Sequence, residues 1–278
     1  MKNKGDFHMH STVSDGNNTP HELLIIAKNK HVNFLSLTDH DNTDGIKEIL
    51  KYAHSLGIKV IPAIELSTVY NNENIHVLGY FRDNSYERRE FQETLSSIRK
   101  EREIRAEKII ENLKHYFNIH ISYKELYENS QGTIARPHIA KAIINKGYSY
   151  SYEYLFNNII NNNSPAYVPY KRIPTKDGIT LLKKFNAVTV LAHPVLIKKT
   201  PVEDILNLGF DGIEAIYPLN TYEDELRFKS LAKKLNLFIT AGSDFHGFFK
   251  DDTKHGDLGH VSLSNDDLDR FIEILNYK

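Results

Sequence analysis

The chain has 278 residues, of which 40% are hydrophobic and 26% charged, a composition typical of a water-soluble globular protein rather than a disordered or membrane protein. Lys and Arg number 35 against 36 Asp and Glu, so there is no bulk positive charge to bind nucleic acid non-specifically. Cysteine is absent, which excludes disulfides and thiolate zinc sites, and no apolar run reaches membrane-spanning length, so we expect a cytoplasmic protein.

Short apolar runs alternate with amphipathic stretches along most of the chain, which indicates repeated strand–helix units. The predicted strands are, in order, "DFHMH", "VNFLSLTDH", "IKVIPAIELS", "IHVLGYF", "AVTVLAHPV", "DGIEAIY" and "LFITAGSDFH". Helix-like segments between them include 20–30, 44–56 and 222–235, and Gly57 is placed to end the second. Seven strands joined by short right-handed crossovers approach a barrel, so we predict an α/β fold with one main core.

The strand–helix rhythm stops between residues 85 and 165. The segment "SSIRKEREIRAEKIIENLKHYF" has apolar residues at helical spacing, and "YKELYEN" and "YEYLFNNII" also resemble helices. In "RPHIAKAIINKG", Pro137 marks a helix start and Gly147 its end. We therefore predict a helical insertion, or cap domain, at 85–165, between barrel segments 1–84 and 166–278.

Residues able to bind a metal ion recur at the ends of the predicted strands. His8 and His10 are two apart on the first strand, so both side chains leave the same face, and Asp15 follows them. Asp244 and His246 are likewise two apart at the end of the last strand. Parallel barrels build their active sites at the carboxyl ends of their strands, so these residues predict a metal site there.

Four further residues belong to this pattern. His40, Glu65 and His193 each end an apolar run, whereas His76 stands near the start of its run and fits the geometry least well. Asp39 and Asp41 flank His40, and we expect them to orient ligands rather than to bind metal.

The alternative for any single histidine is a surface or hydrogen-bonded core residue, because the chain has 14 of them. We leave seven unassigned: His21, His31, His54, His115, His120, His255 and His260. Five apolar runs that end in His, Asp or Glu are harder to explain in this way, because buried strand ends rarely tolerate uncompensated polar groups.

The segments "FHMHSTVSDG", "LTDHD", "AIELS", "IHVLGY", "LAHP" and "GSDFH" resemble the ordered motifs of the PHP (polymerase and histidinol phosphatase) family of metal-dependent phosphoesterases, over about residues 5–84 and 166–250. The resemblance implies a distorted (β/α)7 TIM-like barrel and two or three divalent ions, manganese, iron or zinc. The implied ligands are His8, His10, Glu65 and Asp244 for one ion, Glu65, His76 and His193 for a second, and Asp15, His40 and His246 for a third. Other branches carry His where this chain has Asp15, and a harder oxygen ligand favours manganese or iron over zinc.

The insertion resembles one branch of that family. "RKEREIRAEKI" followed by "GTIARPHIAKAIINKG" is similar to the branch that hydrolyses 3',5'-nucleotide bisphosphates, some members of which also remove 5' nucleotides from short RNA. Arg136 precedes Pro137 at a helix start, so its guanidinium, the free backbone N–H groups and His138 could converge on one phosphate of the substrate. Further basic residues of the insertion either assist or form a solvated helical face balanced by glutamates: Arg99, Arg102, Arg105 and Lys108.

The expected reaction is in-line attack on phosphorus by a metal-activated hydroxide, without a protein nucleophile; the proton donor to the leaving group stays open. The expected substrate is a small phosphorylated molecule of nucleotide type, with short RNA as a further candidate and no protein partner evident. Two alternatives are a histidinol-phosphate phosphatase and a non-catalytic metal-binding module. Dinucleotide, Walker, serine-hydrolase and HExxH motifs are all absent from the sequence.

Overall fold

The computed structural model describes residues 4–130, 134–169, 172–247 and 255–275. The strands are β1 (Gly5–Asp6), β2 (Phe34–Leu35), β3 (Lys59–Val60), β4 (Ala63–Tyr70), β5 (Glu73–Phe81), β6 (Ile173–Pro174), β7 (Ala187–Leu191), β8 (Gly212–Ile216) and β9 (Phe238–Ala241). The helices are α1 (Pro20–Asn29), α2 (Gly45–Leu56), α3 (Arg89–Phe117), α4 (Tyr123–Ser130), α5 (Arg136–Asn145), α6 (Tyr152–Tyr154), α7 (Thr175–Lys184), α8 (Val202–Leu206), α9 (Tyr222–Lys234) and α10 (Asn265–Ile274). A π-helical turn, Leu155–Ile159, continues α6.

The strands form two sheets whose edges meet. One sheet has the order β1-β2-β3 and is parallel; the other has the order β6-β4-β5-β7-β8-β9. Beyond β1, Met9 forms an isolated bridge to Phe245 after β9, and His40, after β2, forms another to Glu65 of β4. The fold is therefore α/β, with the segments that follow β1 and β9 paired to each other and the segment that follows β2 paired to β4.

The expectation of repeated parallel strand–helix units is wrong for β5. This strand runs antiparallel to both β4 and β7. It follows β4 through a two-residue turn at Asn71 and Asn72, whose φ angles of 48° and 57° suit the type I′ hairpin that asparagine favours. The predicted strand "IKVIPAIELS" is also divided, because Pro62 lacks the N–H needed to continue a ladder between β3 and β4.

Strand β5 is buried on both faces. Leu78 and Tyr80 pack in the core cluster that contains Phe271, whereas Val77 and Phe81 pack in the cluster that includes residues of α7. A strand covered on both sides has no reason to alternate polar and apolar residues. This explains why the sequence reads there as a continuous apolar run.

The three predicted helices correspond to α1, α2 and α9. Thr19 and Glu22 form a capping box at the start of α1, with Glu22 N donating to Thr19 Oγ1 at 3.2 Å. Gly57 ends α2 in the left-handed region with φ 69°, so its predicted role as a helix stop is confirmed.

Helices also fill most of the region predicted as an insertion. Helix α3 is 29 residues long, and its carboxyl-terminal half packs with α4, α5 and the π-helical turn in a hydrophobic cluster drawn from residues 106–168. The division at 84 and 165 stays a prediction, and its outer limits, together with residues 132 and 133 of the insertion motif, lie outside the described residues. Within the described ranges, no helix is both long and apolar enough to cross a membrane.

Candidate metal centre

His8 and His10 lie just beyond β1 rather than within it. Between them, Met9 is fully buried and bridges to Phe245, and His10 N donates to the carbonyl of Phe245 at 2.9 Å. The backbone therefore stays extended past the last paired residue of β1. Both imidazoles reach Asp244 from the same side, as their spacing predicted, while Met9 packs into the core.

Four side chains converge in a first group. His8 Nε2 and His10 Nε2 lie 3.3 and 3.2 Å from Asp244 Oδ1, and 3.4 and 3.2 Å from Glu65 Oε1 and Oε2. Ligand atoms bound about 2.0–2.1 Å from a shared tetrahedral ion stand ~3.3 Å apart, so this spacing fits a cation. Within the described part of the chain, His8 Nε2, His10 Nε2 and Glu65 Oε2 are buried without a hydrogen-bond partner, which a metal ion would satisfy.

A second group surrounds Glu65 Oε1. His76 Nδ1 and His193 Nε2 lie 2.8 and 3.1 Å from this oxygen, and 3.2 Å from each other. His76 faces Ser67 in the β4–β5 register, which makes it the diagonal neighbour of Glu65 on the same face. The antiparallel direction of β5 therefore brings the start of this strand to the edge where β7 ends, and His76 joins the site despite its early position in the run.

A third group surrounds Asp15. Its Oδ1 lies 3.3 Å from His246 Nε2 and 3.7 Å from His10 Nδ1, and its Oδ2 lies 3.8 Å from His40 Nε2. These four residues each offer a donor atom within 4.8 Å of the others. His40 Nδ1 also lies 2.9 Å from Glu65 Oε2, so the ring of His40 stands between this group and Glu65.

Burial and the neighbouring charges shift the pKa values of several side chains of this site. Burial raises the pKa of Glu65, but the surrounding imidazoles, His40 first, outweigh burial and hold that pKa well below its usual range. Burial lowers the pKa of His10, yet Asp244 and Glu65 together raise it to about 10. Burial dominates at His76 and lowers its pKa to about 4. His10 is therefore protonated near neutral pH, whereas His76 is neutral.

Glu214 is a site residue that the sequence reasoning missed. Its side chain is fully buried, and its Oε1 accepts a hydrogen bond from His8 Nδ1 at 2.9 Å while its Oε2 accepts one from His193 N at 2.7 Å. A Cβ at Gly242 would lie 2.2 Å from His8 Cβ and 2.4 Å from Glu214 Oε1, so only glycine fits there. The signal available was an acidic residue in the centre of the apolar run "GIEAI".

Asp39 and Asp41 bind protein groups beside the ligands. Asp39 accepts hydrogen bonds from Ser11 N at 2.8 Å and Ser11 Oγ at 2.7 Å. Asp41 accepts from Ser67 N at 2.7 Å and from Arg102 Nε of α3 at 2.8 Å. These contacts suit the orienting role predicted for both carboxylates.

Two further residues contact Asp244. Tyr217 donates its hydroxyl hydrogen to Asp244 Oδ2 at 3.0 Å, and burial together with the charges of Asp244 and Glu214 raises the pKa of Tyr217, so the phenol keeps its proton. His255, which the sequence left unassigned, lies with Nε2 3.9 Å from Asp244 Oδ2 and its ring centroid 4.1 Å from that of His246.

The predicted substrate-binding residues stand at the start of α5. His138 Nδ1 accepts a hydrogen bond from Ala135 N at 3.0 Å, and His138 shares a cleft with Asp15. Arg136 Nη1 donates to the carbonyl of Ile160 at 3.3 Å and to Asn162 Oδ1 at 3.2 Å. Their convergence on one phosphate stays a prediction.

The interpretation of the α3 arginines as a solvated face is wrong for Arg102 and Arg105. The Arg102 side chain is 13% exposed and pairs with Asp41. Arg105 Nε donates to the carbonyl of Val168 at 2.8 Å, and burial together with neighbouring arginines lowers the pKa of Arg105 to about 10. Both guanidinium groups point inward and join α3 to other segments.

The PHP domain family profile matches residues 6–165, more than half of the chain, so the chain belongs to this family, as its motifs predicted. The clustered donors and the α/β fold together define a metal-dependent hydrolase of that family.

Three curated relatives cover nearly the whole chain. A 5'-3' exoribonuclease of Haemophilus influenzae is 29% identical over 88% of this chain and 91% of its own length. A phosphoribosyl 1,2-cyclic phosphate 1,2-diphosphodiesterase of Eggerthella lenta is 26% identical over 93% and 97%. A 3',5'-nucleoside bisphosphate phosphatase of Chromobacterium violaceum is 27% identical over 87% and 86%.

Among solved structures, a protein of Bifidobacterium adolescentis, provisionally named a metal-dependent phosphoesterase, superposes with a TM-score of 0.85 at 25% identity. The match covers 97% of this chain and 96% of that one. At this coverage the superposition includes most of residues 85–165.

Proposed function

We propose that the chain hydrolyses a phosphate monoester, namely the 3'-phosphate of 3',5'-nucleotide bisphosphates. The observation that carries this proposal is the convergence of the predicted ligands around Glu65 and Asp15, beside a cleft that His138 also lines. A metal centre can promote attack on one phosphate of the substrate. The start of α5, which lies nearby, can bind a second phosphate. The Chromobacterium relative, named as a bisphosphate phosphatase, supports this substrate.

We assign the ligands to three ions as the family resemblance implies: His8, His10, Glu65 and Asp244; Glu65, His76 and His193; Asp15, His40 and His246. The nitrogen and oxygen donors fit manganese, iron or zinc, and the carboxylate of Asp15 favours manganese or iron. Bound ions of this kind lower the pKa of a water molecule and neutralise charge on the phosphoryl group. The contribution of the chain is to orient the donors, through Glu214 on His8 and Tyr217 on Asp244.

His138 would donate a hydrogen bond to a phosphate oxygen. Its Nδ1 already accepts a hydrogen from Ala135 N, and burial lowers the pKa of His138, so the ring is neutral with its hydrogen on Nε2. A neutral Nε2–H beside Asp15 can bind a phosphate oxygen without adding charge to the nearby cations. This is a binding role, and the proton donor to the leaving group stays open.

Arg136 would hold the second phosphate together with His138. Its hydrogen bonds to Ile160 and Asn162 are long and go to neutral oxygen atoms. A phosphate would replace them with shorter, charge-assisted hydrogen bonds. We therefore expect the Arg136 side chain to turn toward the phosphate when the substrate binds.

The family resemblance also implies a distorted (β/α)7 TIM-like barrel, and we propose this closure for the chain. Two bridges between the sheets support this closure: Met9 to Phe245, beyond the edge strands β1 and β9, and His40, beyond β2, to Glu65 of β4. The cytoplasmic location stays a prediction.

Short RNA is a second candidate substrate, favoured by the Haemophilus relative that is named as an exoribonuclease. Removal of a 5' nucleotide would use the same centre on a phosphodiester. The Eggerthella relative, named as a diphosphodiesterase, supports testing diesters alongside monoesters.

The test is phosphate release from adenosine 3',5'-bisphosphate, histidinol phosphate and a short 5'-phosphorylated RNA after reconstitution with manganese. We expect the bisphosphate to be the best substrate, and Arg136→Ala to raise its KM without unfolding the protein. Preference for histidinol phosphate, or an Arg136→Ala variant equal to the parent, would overturn the substrate assignment.

A further inference from the structure

A cleft of about 220 Å³ opens next to Asp15. It is lined by the loop at residues 15–17, by one face of α5 and by Tyr152 of α6. Along α5 the lining residues are Pro137, His138, Lys141 and Ile144; Lys141 lies four residues after Pro137 and three after His138, and Ile144 three further on, so they share one side of the helix. The cleft therefore runs from the candidate metal centre outward along α5.

The walls of the cleft change in character along its length. The inner end is polar, with Asp15 and His138, and Lys141 crosses it to donate a hydrogen bond from Nζ to Asn17 Oδ1 at 3.2 Å. The apolar part of the cleft, which we call its outer end, is formed by Ile144, six residues after His138 on α5, and by the ring of Tyr152.

The ring of Tyr152 is positioned by a contact with the ring of Phe156. The two ring centroids lie 4.8 Å apart at an interplanar angle of 36°, while 42% of Tyr152 remains exposed. The guanidinium carbon of Arg136 lies 5.9 Å from the Phe156 ring centroid. Phe156 therefore supports the Tyr152 ring from outside the cleft lining and lies near Arg136, the residue proposed to hold a phosphate.

We propose that the outer end of this cleft binds the nucleobase of the substrate, stacked on Tyr152 and flanked by Ile144. The proposal rests on the proposed function and extends it, because it assigns the part of the substrate that no phosphate-binding residue reaches. An aromatic ring and an aliphatic side chain suit a planar, weakly polar group, and the cation of Lys141 suits the sugar-phosphate edge beside it. Stacking uses the π-face that every base has, so purines and pyrimidines should both be accepted.

Tyr154 provides a matched control. It lies two residues away, is 48% exposed, and stacks on Tyr150 with a centroid distance of 5.4 Å, but it does not line the cleft. Replacement of either tyrosine by alanine removes a half-exposed ring from the same short segment. Tyr152→Phe keeps the ring and removes only the hydroxyl.

The experiment compares KM and kcat for adenosine 3',5'-bisphosphate and for an abasic 3',5'-bisphosphate that lacks the base. We expect Tyr152→Ala to raise KM for the nucleotide about tenfold, with kcat and the abasic substrate little affected. Tyr154→Ala should behave as the parent, and Tyr152→Phe, which keeps the ring, should raise KM for the nucleotide much less than Tyr152→Ala does. Equal effects of Tyr152→Ala on both substrates, or equal effects of the two alanine variants, would overturn the base-binding role.

A second measurement separates this proposal from the proposed function. If the parent protein does not hydrolyse the bisphosphate, the proposed function fails, and the cleft is then tested by equilibrium dialysis of adenosine monophosphate against the manganese-loaded protein. Binding that weakens about tenfold in Tyr152→Ala but not in Tyr154→Ala would uphold the cleft assignment. No binding to the parent would overturn it.

Discussion

Glu214 Oε1 lies 2.9 Å from His8 Nδ1, and this contact decides which nitrogen of His8 faces the candidate metal centre. With Nδ1 donating its hydrogen to Glu214, Nε2 is the nitrogen that faces Glu65 and Asp244 and that would bind a metal ion. Because Glu214 also accepts a hydrogen bond from His193 N, one buried carboxylate contacts two predicted ligands that follow different strands, β1 and β7.

Glu214→Gln should weaken metal binding by about 10- to 100-fold, because the amide fixes the His8 tautomer less well. The affinity is measured by competition with a chromophoric chelator. Glu203→Gln is the control, because it removes a carboxylate from a surface pair with Lys234 and should leave metal affinity unchanged. Equal affinities in the two variants would contradict the orienting role.

Metal binding should release protons. In the metal-free protein the pKa of His10 is about 10, so its imidazole holds a proton at pH 7.5 that a bound ion must displace. The apparent affinity for the metal ion should therefore rise with pH up to about 10, and it should fall on acidification. Calorimetric titration with manganese in two buffers of different ionisation enthalpy measures the release, and identical heats in both would contradict it.

Arg102→Ala should destabilise the fold by about 3 kcal/mol, because it leaves the buried carboxylate of Asp41 without its cation. Urea unfolding measures the change. Lys100→Ala, on the same helix, breaks an exposed pair with Glu103 and should have no measurable effect. Similar unfolding midpoints for both variants would show that the Arg102 contact does not anchor α3.

The sequence predicted much of the site because its ligands stand at the ends of apolar runs. His8 and His10 meet Asp244 as their two-residue spacing required. His76 could not be placed in this way, since strand direction is not visible in an apolar run. The adjacent residues Asn71 and Asn72 carried the missing signal, because two residues with positive φ make the hairpin that reverses β5.

Long-range partners were harder to predict. Glu214 was missed because nothing local marks which side chain a buried carboxylate will meet, and His8 lies 206 positions away. For Arg102 the sequence leaves open a substrate-binding role or a solvated helical face, whereas its partner in the structure is Asp41 on another segment. Both cases depend on tertiary contacts rather than on spacing.

The most direct test of the central claim is phosphate release from adenosine 3',5'-bisphosphate by the parent protein and by Glu65→Gln, after chelation and then after addition of manganese. We predict that chelation abolishes turnover, that manganese restores it in the parent, and that Glu65→Gln stays inactive while retaining its circular dichroism spectrum. Turnover that survives chelation, or a Glu65→Gln variant that manganese activates to the level of the parent, would contradict a metal-dependent phosphatase centred on Glu65.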